Sequence, residues 1–267
     1  AMIYNSNFVG NCIDSENATA VGGAICFEGE STKIGTIDEN GKLVGGIINS
    51  NFISNYAKAE TGTPKGGALH TNSSINIIAD TGKFIFKYNF TIDNNGVKDE
   101  NAIYVASKTA TLSLQSKNNG VITFDDNIRG DEGYTLAITG DETGTVNLNN
   151  DVFNANITHE NVTTNVSDGK YLNHELGEGI NSLTMNSGTL NVNSLDTNGI
   201  HLKEFNLNGG VINLNKVKVD LVHEKMGRIY ADSYGANPNG QIKVNSLVLL
   251  NEATKDKTKI LFADKEI

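Results

Sequence analysis

One internal repeat constrains this chain more than any other feature. The segment Leu183-Thr-Met-Asn-Ser-Gly-Thr-Leu-Asn-Val-Asn-Ser-Leu195 aligns with Phe205-Asn-Leu-Asn-Gly-Gly-Val-Ile-Asn-Leu-Asn-Lys-Val217 at an offset of 22 residues. Asn186, Gly188, Asn191 and Asn193 meet Asn208, Gly210, Asn213 and Asn215, and the apolar positions match as well. Agreement at polar and apolar positions together marks a repeated supersecondary unit.

The centre of the unit is Gly-x-φ-x-φ, where φ is apolar. It recurs at Gly120–Phe124, Gly144–Leu148, Gly188–Val192, Gly210–Leu214 and Gly240–Val244, with a looser copy at Gly82–Phe86. Most spacings are multiples of a period near 22 residues. The last is stretched by Ala231–Asn239, whose Gly and Pro read as an inserted loop. A second pattern fills the N-terminal half. Phe-x-x-Asn occurs at Phe8–Asn11, Phe52–Asn55, Phe86–Asn89 and Phe124–Asn127. Each of the first three is followed, 14 residues after its Phe, by Gly-Gly-Ala-Ile at Gly22–Ile25, Gly-Gly-Ala-Leu at Gly66–Leu69, or a decayed Glu-Asn-Ala-Ile at Glu100–Ile103.

The alternation has period two, so these are short strands with one inward face. Asn and Gly between them tolerate the left-handed backbone of tight turns. Only His174–Leu183 or Leu221–Met226 could supply a helical turn. A unit of about 22 residues with a few short strands buries too little to fold alone, so neighbouring units must stack. These features predict an all-β, right-handed parallel β-helix of about 22 residues per coil and roughly 12 coils, a rod near 58 Å long at about 4.8 Å per coil. We read 1–267 as one solenoid, with Gly-Gly-Ala and Phe-x-x-Asn repeats over 1–128 and Gly-x-φ-Asn-φ repeats over 129–267, cut from a longer chain. Asn residues at one offset are expected to lie above one another and hydrogen-bond along the stack. By the same alignment Cys12 falls in one column with Tyr56 and Phe90, and Cys26 in another with His70 and Tyr104. The two cysteines can be bridged in an oxidising compartment or stand as separate thiols, and the sequence leaves both open.

Together, Gly-Gly-Ala-[Ile/Leu] and Phe-x-x-Asn resemble the polymorphic outer-membrane protein repeats and the passenger domains of bacterial autotransporters. The tail Leu249–Asp264 is similar to late passenger sequence. The resemblance covers most of the chain. It implies export, display at the cell surface or outer membrane or release as a secreted protein, and a role in adhesion to a host-cell or cell-surface receptor, protein or glycan. Self-association as a structural spike is a second reading of the same features. A third is a polysaccharide lyase or hydrolase, since β-helices host such enzymes.

The net charge is −10 and the only arginines are Arg129 and Arg228, a balance that argues against nucleic acid. No apolar run is long enough for a membrane-spanning helix. The enzymatic reading has one acidic pair to offer, Asp125-Asp126 with Arg129 nearby. Adjacent strand residues point to opposite faces, so turn capping is the expectation for it. His159-Glu160, His174-Glu175 and His223-Glu224 lack the second His of a zinc helix and read as solvated positions. His70 and His201 read as loop or outward residues. No catalytic, cofactor or metal residue is assigned, and the function expected is non-enzymatic. The candidate contact segments are the irregular ones, Glu28–Gly41, Asn154–Gly169 and Tyr230–Asn239.

Overall fold

The computed structural model describes residues 2–28, 36–37, 43–167, 181–237 and 239–250. Within them two nine-stranded parallel sheets run the length of the molecule. The first is built from Ile3–Tyr4, Ile47–Ile48, Ile75–Asp80, Thr111–Lys117, Tyr134–Gly140, Ala155–Glu160, Ser182–Met185, Ile200–Leu207 and Ile229–Ala236. The second follows each of these after a short corner: Asn7–Val9, Asn51–Ile53, Lys83–Lys87, Val121–Phe124, Thr145–Leu148, Thr163–Val166, Thr189–Val192, Gly210–Leu214 and Gly240–Val244. Every strand in either sheet pairs parallel with its counterpart in the next coil, so the chain is a parallel β-helix. Among the described residues there is no helix, and hence none long and apolar enough to cross a membrane. Leu221–Met226, expected as a helical turn, is instead a turn at Leu221–Glu224 followed by the strand Lys225–Met226, which pairs antiparallel with Val217–Asp220. His174 lies outside the described residues.

The columns explain the sequence patterns. Along the second sheet Phe8, Phe52, Phe86 and Phe124 stand in register and point inward. Their rings stack at 4.6, 5.0 and 4.4 Å between centroids, within 7° of parallel, and each such pair adds about 1 kcal/mol beyond its buried area. On the outer face Asn147 donates to Thr123, Asn165 to Asn147, Asn191 to Asn165 and Asn213 to Asn191, at 2.8–3.3 Å. This is the stacked amide ladder expected from the repeat. A second ladder follows the corner between the second sheet and the third side. Asn11 donates to Asn55, Asn55 to Asn89, and Asn89 to the buried carboxylate of Asp126, at 2.7–2.9 Å. The corners themselves hold left-handed residues, among them Asn5, Asn49, Asn118 and Asn161, which short polar side chains tolerate better than β-branched ones.

Two expectations need correction. The described residues form nine coils, not roughly twelve, and they span about 38 Å from first to last at about 4.8 Å per coil. Coil length is also not constant near 22 residues. Neighbouring positions in register lie from 18 residues apart, at Asn147 and Asn165, to 44 apart, at Asn7 and Asn51. Parallel pairing fixes which residues meet, but a corner can swallow any length of chain at little energetic cost, because loop-closure entropy grows only logarithmically with length. The connections from the first sheet to the second are short, between two and four residues. Most of the variation accumulates on the third side.

That side starts as two strands per coil. Cys12–Ser15, Tyr56–Ala59 and Phe90–Ile92 form one short sheet; Ile25–Phe27, Leu69–Thr71, Ile103–Val105 and Ile128–Gly130 form another. Gly-Gly-Ala lies between them. Gly22 and Gly66 carry φ of +67° and +64°. Gly23 and Gly67 have no room for a side chain, since a Cβ on Gly67 would lie 2.4 Å from the Phe90 backbone nitrogen and oxygen. The Ala that follows is buried at the second and third copies, Ala68 and Ala102.

Candidate functional site

The decayed third copy of that motif marks the place where the third side opens. Asn101 takes the position of Gly67 and Gly23 one and two coils earlier. Here the outer sheet is closed by a hairpin: Phe90–Ile92 pairs antiparallel with Lys98–Glu100. Asp93 shapes its turn by accepting from the backbone of Asn95 at 2.9 Å and of Val97 at 2.8 Å. Those two amides hold the Asp93 carboxyl below the usual carboxylate range. The hairpin overhangs the next coil and leaves a cleft of about 310 Å³, lined by Asp93, Asp99, Asn101, Tyr104, Arg129 and Phe153 among others.

Each wall is held rigidly. Arg129 grips Asp99 through two contacts, Nε to Oδ2 at 3.1 Å and Nη2 to Oδ1 at 3.3 Å, and lies over the Phe153 ring at 3.8 Å. Tyr104 donates its hydroxyl to Asp131 at 2.9 Å while Lys65 sits over its ring at 4.4 Å. Asn101 is 2% exposed, and its Oδ1 has no hydrogen-bond partner among the described residues. A buried acceptor left unpaired costs about 1–3 kcal/mol, and the interruption of the repeat at Asn101 carries that cost inside the cleft wall. The cleft therefore combines a buried amide at its base, a guanidinium–carboxylate ion pair and two aromatic rings. Its two acids are committed, Asp93 to backbone amides and Asp99 to Arg129. The arrangement suits recognition of hydroxyl-bearing ligands better than proton transfer.

The residues weighed from sequence fall elsewhere. Asp125 and Asp126 do not converge on a substrate position. Asp125 faces outward, accepting from Asn149 at 2.8 Å with Lys87 at 3.8 Å. Asp126 is buried and accepts from both the backbone and the side chain of Asn89 in the preceding coil, an inter-coil contact in place of the expected capping of its own turn. Desolvation pushes its carboxyl up to about 6 against those hydrogen bonds. Arg129 turns away from this pair toward Asp99.

His159 is a correction. It is 1% exposed, not solvated, and stands in the inward column between Ile138 and Met185. Nδ1 meets the Ser187 carbonyl at 3.0 Å and must carry the proton; Nε2 meets the Thr164 hydroxyl at 2.9 Å. Burial lowers its pKa and keeps the ring neutral. His70 is a strand residue, not a loop one: it stands in the outward column of Leu69–Thr71 with Cys26 and Tyr104, and it is covered there. His201 does point outward, stacked on Tyr230 at 4.2 Å and 3.0 Å from Asp232, and His223 is exposed beside Asp220.

Of the three irregular segments, two are largely regular. Asn154–Gly169 contains Ala155–Glu160 and Thr163–Val166, and Tyr230–Asn239 mostly belongs to the strand Ile229–Ala236. Their inward positions include His159, Thr164 and Ala231, which masked the alternation. In Glu28–Gly41 only Glu28 and Thr36–Ile37 are described, the latter pairing antiparallel with Leu43–Val44; the remainder lies outside the described residues, as do residues 168–180. The cysteine columns are as aligned: Cys12 with Tyr56 and Phe90, Cys26 with His70 and Tyr104. Both thiols are free. Sequence reasoning missed Asp99, Asn101, Tyr104 and Phe153 as cleft residues. The one available signal was the lapse from Gly-Gly to Glu-Asn at 100–101.

Fold and cleft define a parallel β-helix with a recess on its irregular side. No protein-family model, no curated protein and no solved structure matches the chain.

Proposed function

We propose that this chain is a non-enzymatic, surface-displayed β-helical passenger of a bacterium, an adhesin whose third side engages a receptor on a host or neighbouring cell. The observation that carries the reading is the Asn101 cleft: a rigid scaffold interrupts its own repeat at one position, and there a recess opens between Arg129–Asp99, Tyr104 and Phe153. The co-occurrence of Gly-Gly-Ala and Phe-x-x-Asn in register supports the passenger assignment. The cleft volume and its polar and aromatic walls favour one or two sugar rings of a surface glycan. The lyase or hydrolase alternative wants carboxylates free to exchange protons, and Asp93, Asp99, Asp125 and Asp126 are each engaged.

The test is binding of the purified chain to a glycan array and to epithelial cells, alongside Arg129→Ala and Asn101→Ala. Binding by the parent chain that falls at least tenfold in both variants, with unchanged circular dichroism, supports the reading. Equal binding by all three removes the cleft from the account, and release of reducing sugar from any bound glycan would replace adhesion with hydrolysis.

A further inference from the structure

One coil before the cleft, the same third-side column brings together three metal-ligating side chains that no sequence motif unites. Cys26 and His70 are partners in register on adjacent strands, and Glu28 follows two residues after Cys26. His70 Nδ1 lies 3.8 Å from Cys26 Sγ and 3.8 Å from Glu28 Oε1, and all three donor atoms fall within 4.8 Å of one another. The first is at the long end for a hydrogen bond involving sulfur, and the second is longer than a hydrogen bond. The two histidine distances are close to what one shared ion requires: a tetrahedral zinc with Zn–S about 2.3 Å and Zn–N or Zn–O about 2.0–2.2 Å sets S···N and S···O at about 3.6 Å and N···O at about 3.4 Å. The Cys26–Glu28 separation, within 4.8 Å, closes to that value by a rotation of the exposed Glu28 side chain.

We propose that Cys26 Sγ, His70 Nδ1 and Glu28 Oε1 bind a zinc-class divalent cation, with a fourth position open to water or an outside donor. Thiolate, imidazole and carboxylate form a borderline set that suits zinc better than the hard ions magnesium or calcium. Burial keeps the His70 imidazole neutral, the form that ligates. Without a metal, burial and the Glu28 charge raise the Cys26 thiol. Coordination therefore releases the thiol proton to solvent as the sulfur–metal bond forms. The His70 ring is fixed from behind by stacking on Tyr104, at 6.0 Å and 12°. The site shares the Tyr104 ring with the cleft, but its three ligand atoms lie outside the cleft lining, so its test does not depend on the adhesin reading.

Cobalt(II) replaces zinc with a visible signature, so the reduced, metal-stripped full chain is titrated with cobalt(II) and then with zinc. The expected result is one equivalent bound, with a near-ultraviolet sulfur-to-cobalt charge-transfer band that zinc displaces. Cys26→Ser should abolish the band and weaken zinc binding at least tenfold. Glu28→Gln should weaken binding with the band retained at saturation, and Cys12→Ser should change neither. His70→Ala should also weaken binding, but because His70 is buried the exposed variants at Cys26 and Glu28 decide the matter if it fails to fold. Absence of a charge-transfer band in the parent chain, or a band lost in Cys12→Ser and kept in Cys26→Ser, overturns the proposal.

Discussion

The two long sheets and the third side obey different rules. In the sheets every coil repeats the last: inward columns such as Phe8–Phe52–Phe86–Phe124 and outward ladders such as Asn147–Asn165–Asn191–Asn213 persist while the offset between registered positions changes from 44 to 18. On the third side the same coils carry a hairpin, a tight Gly-Gly crossing, a cleft and a cysteine–histidine–glutamate cluster. Stability is concentrated where the chain is monotonous. Chemistry is concentrated where it is not. A solenoid can support this division because each coil needs only its neighbours' backbone groups and inward side chains, leaving one side free to vary.

The sharpest way to break the comparison is to truncate one apolar side chain in each region. Phe86 is fully buried between Phe52 and Phe124, so Phe86→Ala should lower unfolding free energy by about 3–5 kcal/mol. Val97 projects from the third-side hairpin at 60% exposure, and Val97→Ala should cost less than about 0.5 kcal/mol. Urea unfolding of the two variants measures both values, and similar costs would erase the distinction.

A smaller effect sharpens it. Asp126 ends the corner ladder where the regular part of the third side gives way, and its folded carboxyl titrates near 6 because it is desolvated. The unfolded value is about 3.9. A folded value above the unfolded one means that this group favours folding below about pH 4, and that the advantage is lost as pH rises through 6. The loss amounts to about 3 kcal/mol. Asp126→Asn would continue the amide ladder with no charge to bury. Its unfolding free energy should exceed the parent's at pH 7 by about 2–3 kcal/mol and lose the decline between pH 4 and 7. A variant that keeps the decline would place its origin in other carboxyls.

The sheets were largely legible in the sequence because register is written in identity. Asn at a fixed place in Gly-x-φ-Asn-φ, and Phe opening Phe-x-x-Asn, name their partners directly, and the cysteine columns followed from the same alignment. Coil length was not legible. Asn147 and Asn165 are neighbours across 18 residues, and no constant period finds them. The inward His159 was hidden because its compensation is three-dimensional: Thr164 and the Ser187 carbonyl satisfy both ring nitrogens in the core, which no single-position pattern shows. The cleft was hidden for a related reason. Its residues come from different coils and share no motif, so only the lapse at Glu100-Asn101 hinted at it.

The central claim is the register itself, and cross-linking tests it most directly. In a background lacking Cys12 and Cys26, paired cysteines at Asn147 and Asn165 stand on adjacent strands, about 5 Å apart, within disulfide reach. Cysteines at Asn147 and Asn191 stand two strands apart, about 10 Å, and out of reach. Oxidation should close the first pair nearly completely and the second not at all. Closure of Asn147→Cys with Asn191→Cys, or failure of the 147–165 pair, would contradict the stacked coils on which the sheets, the cleft and the metal cluster all depend.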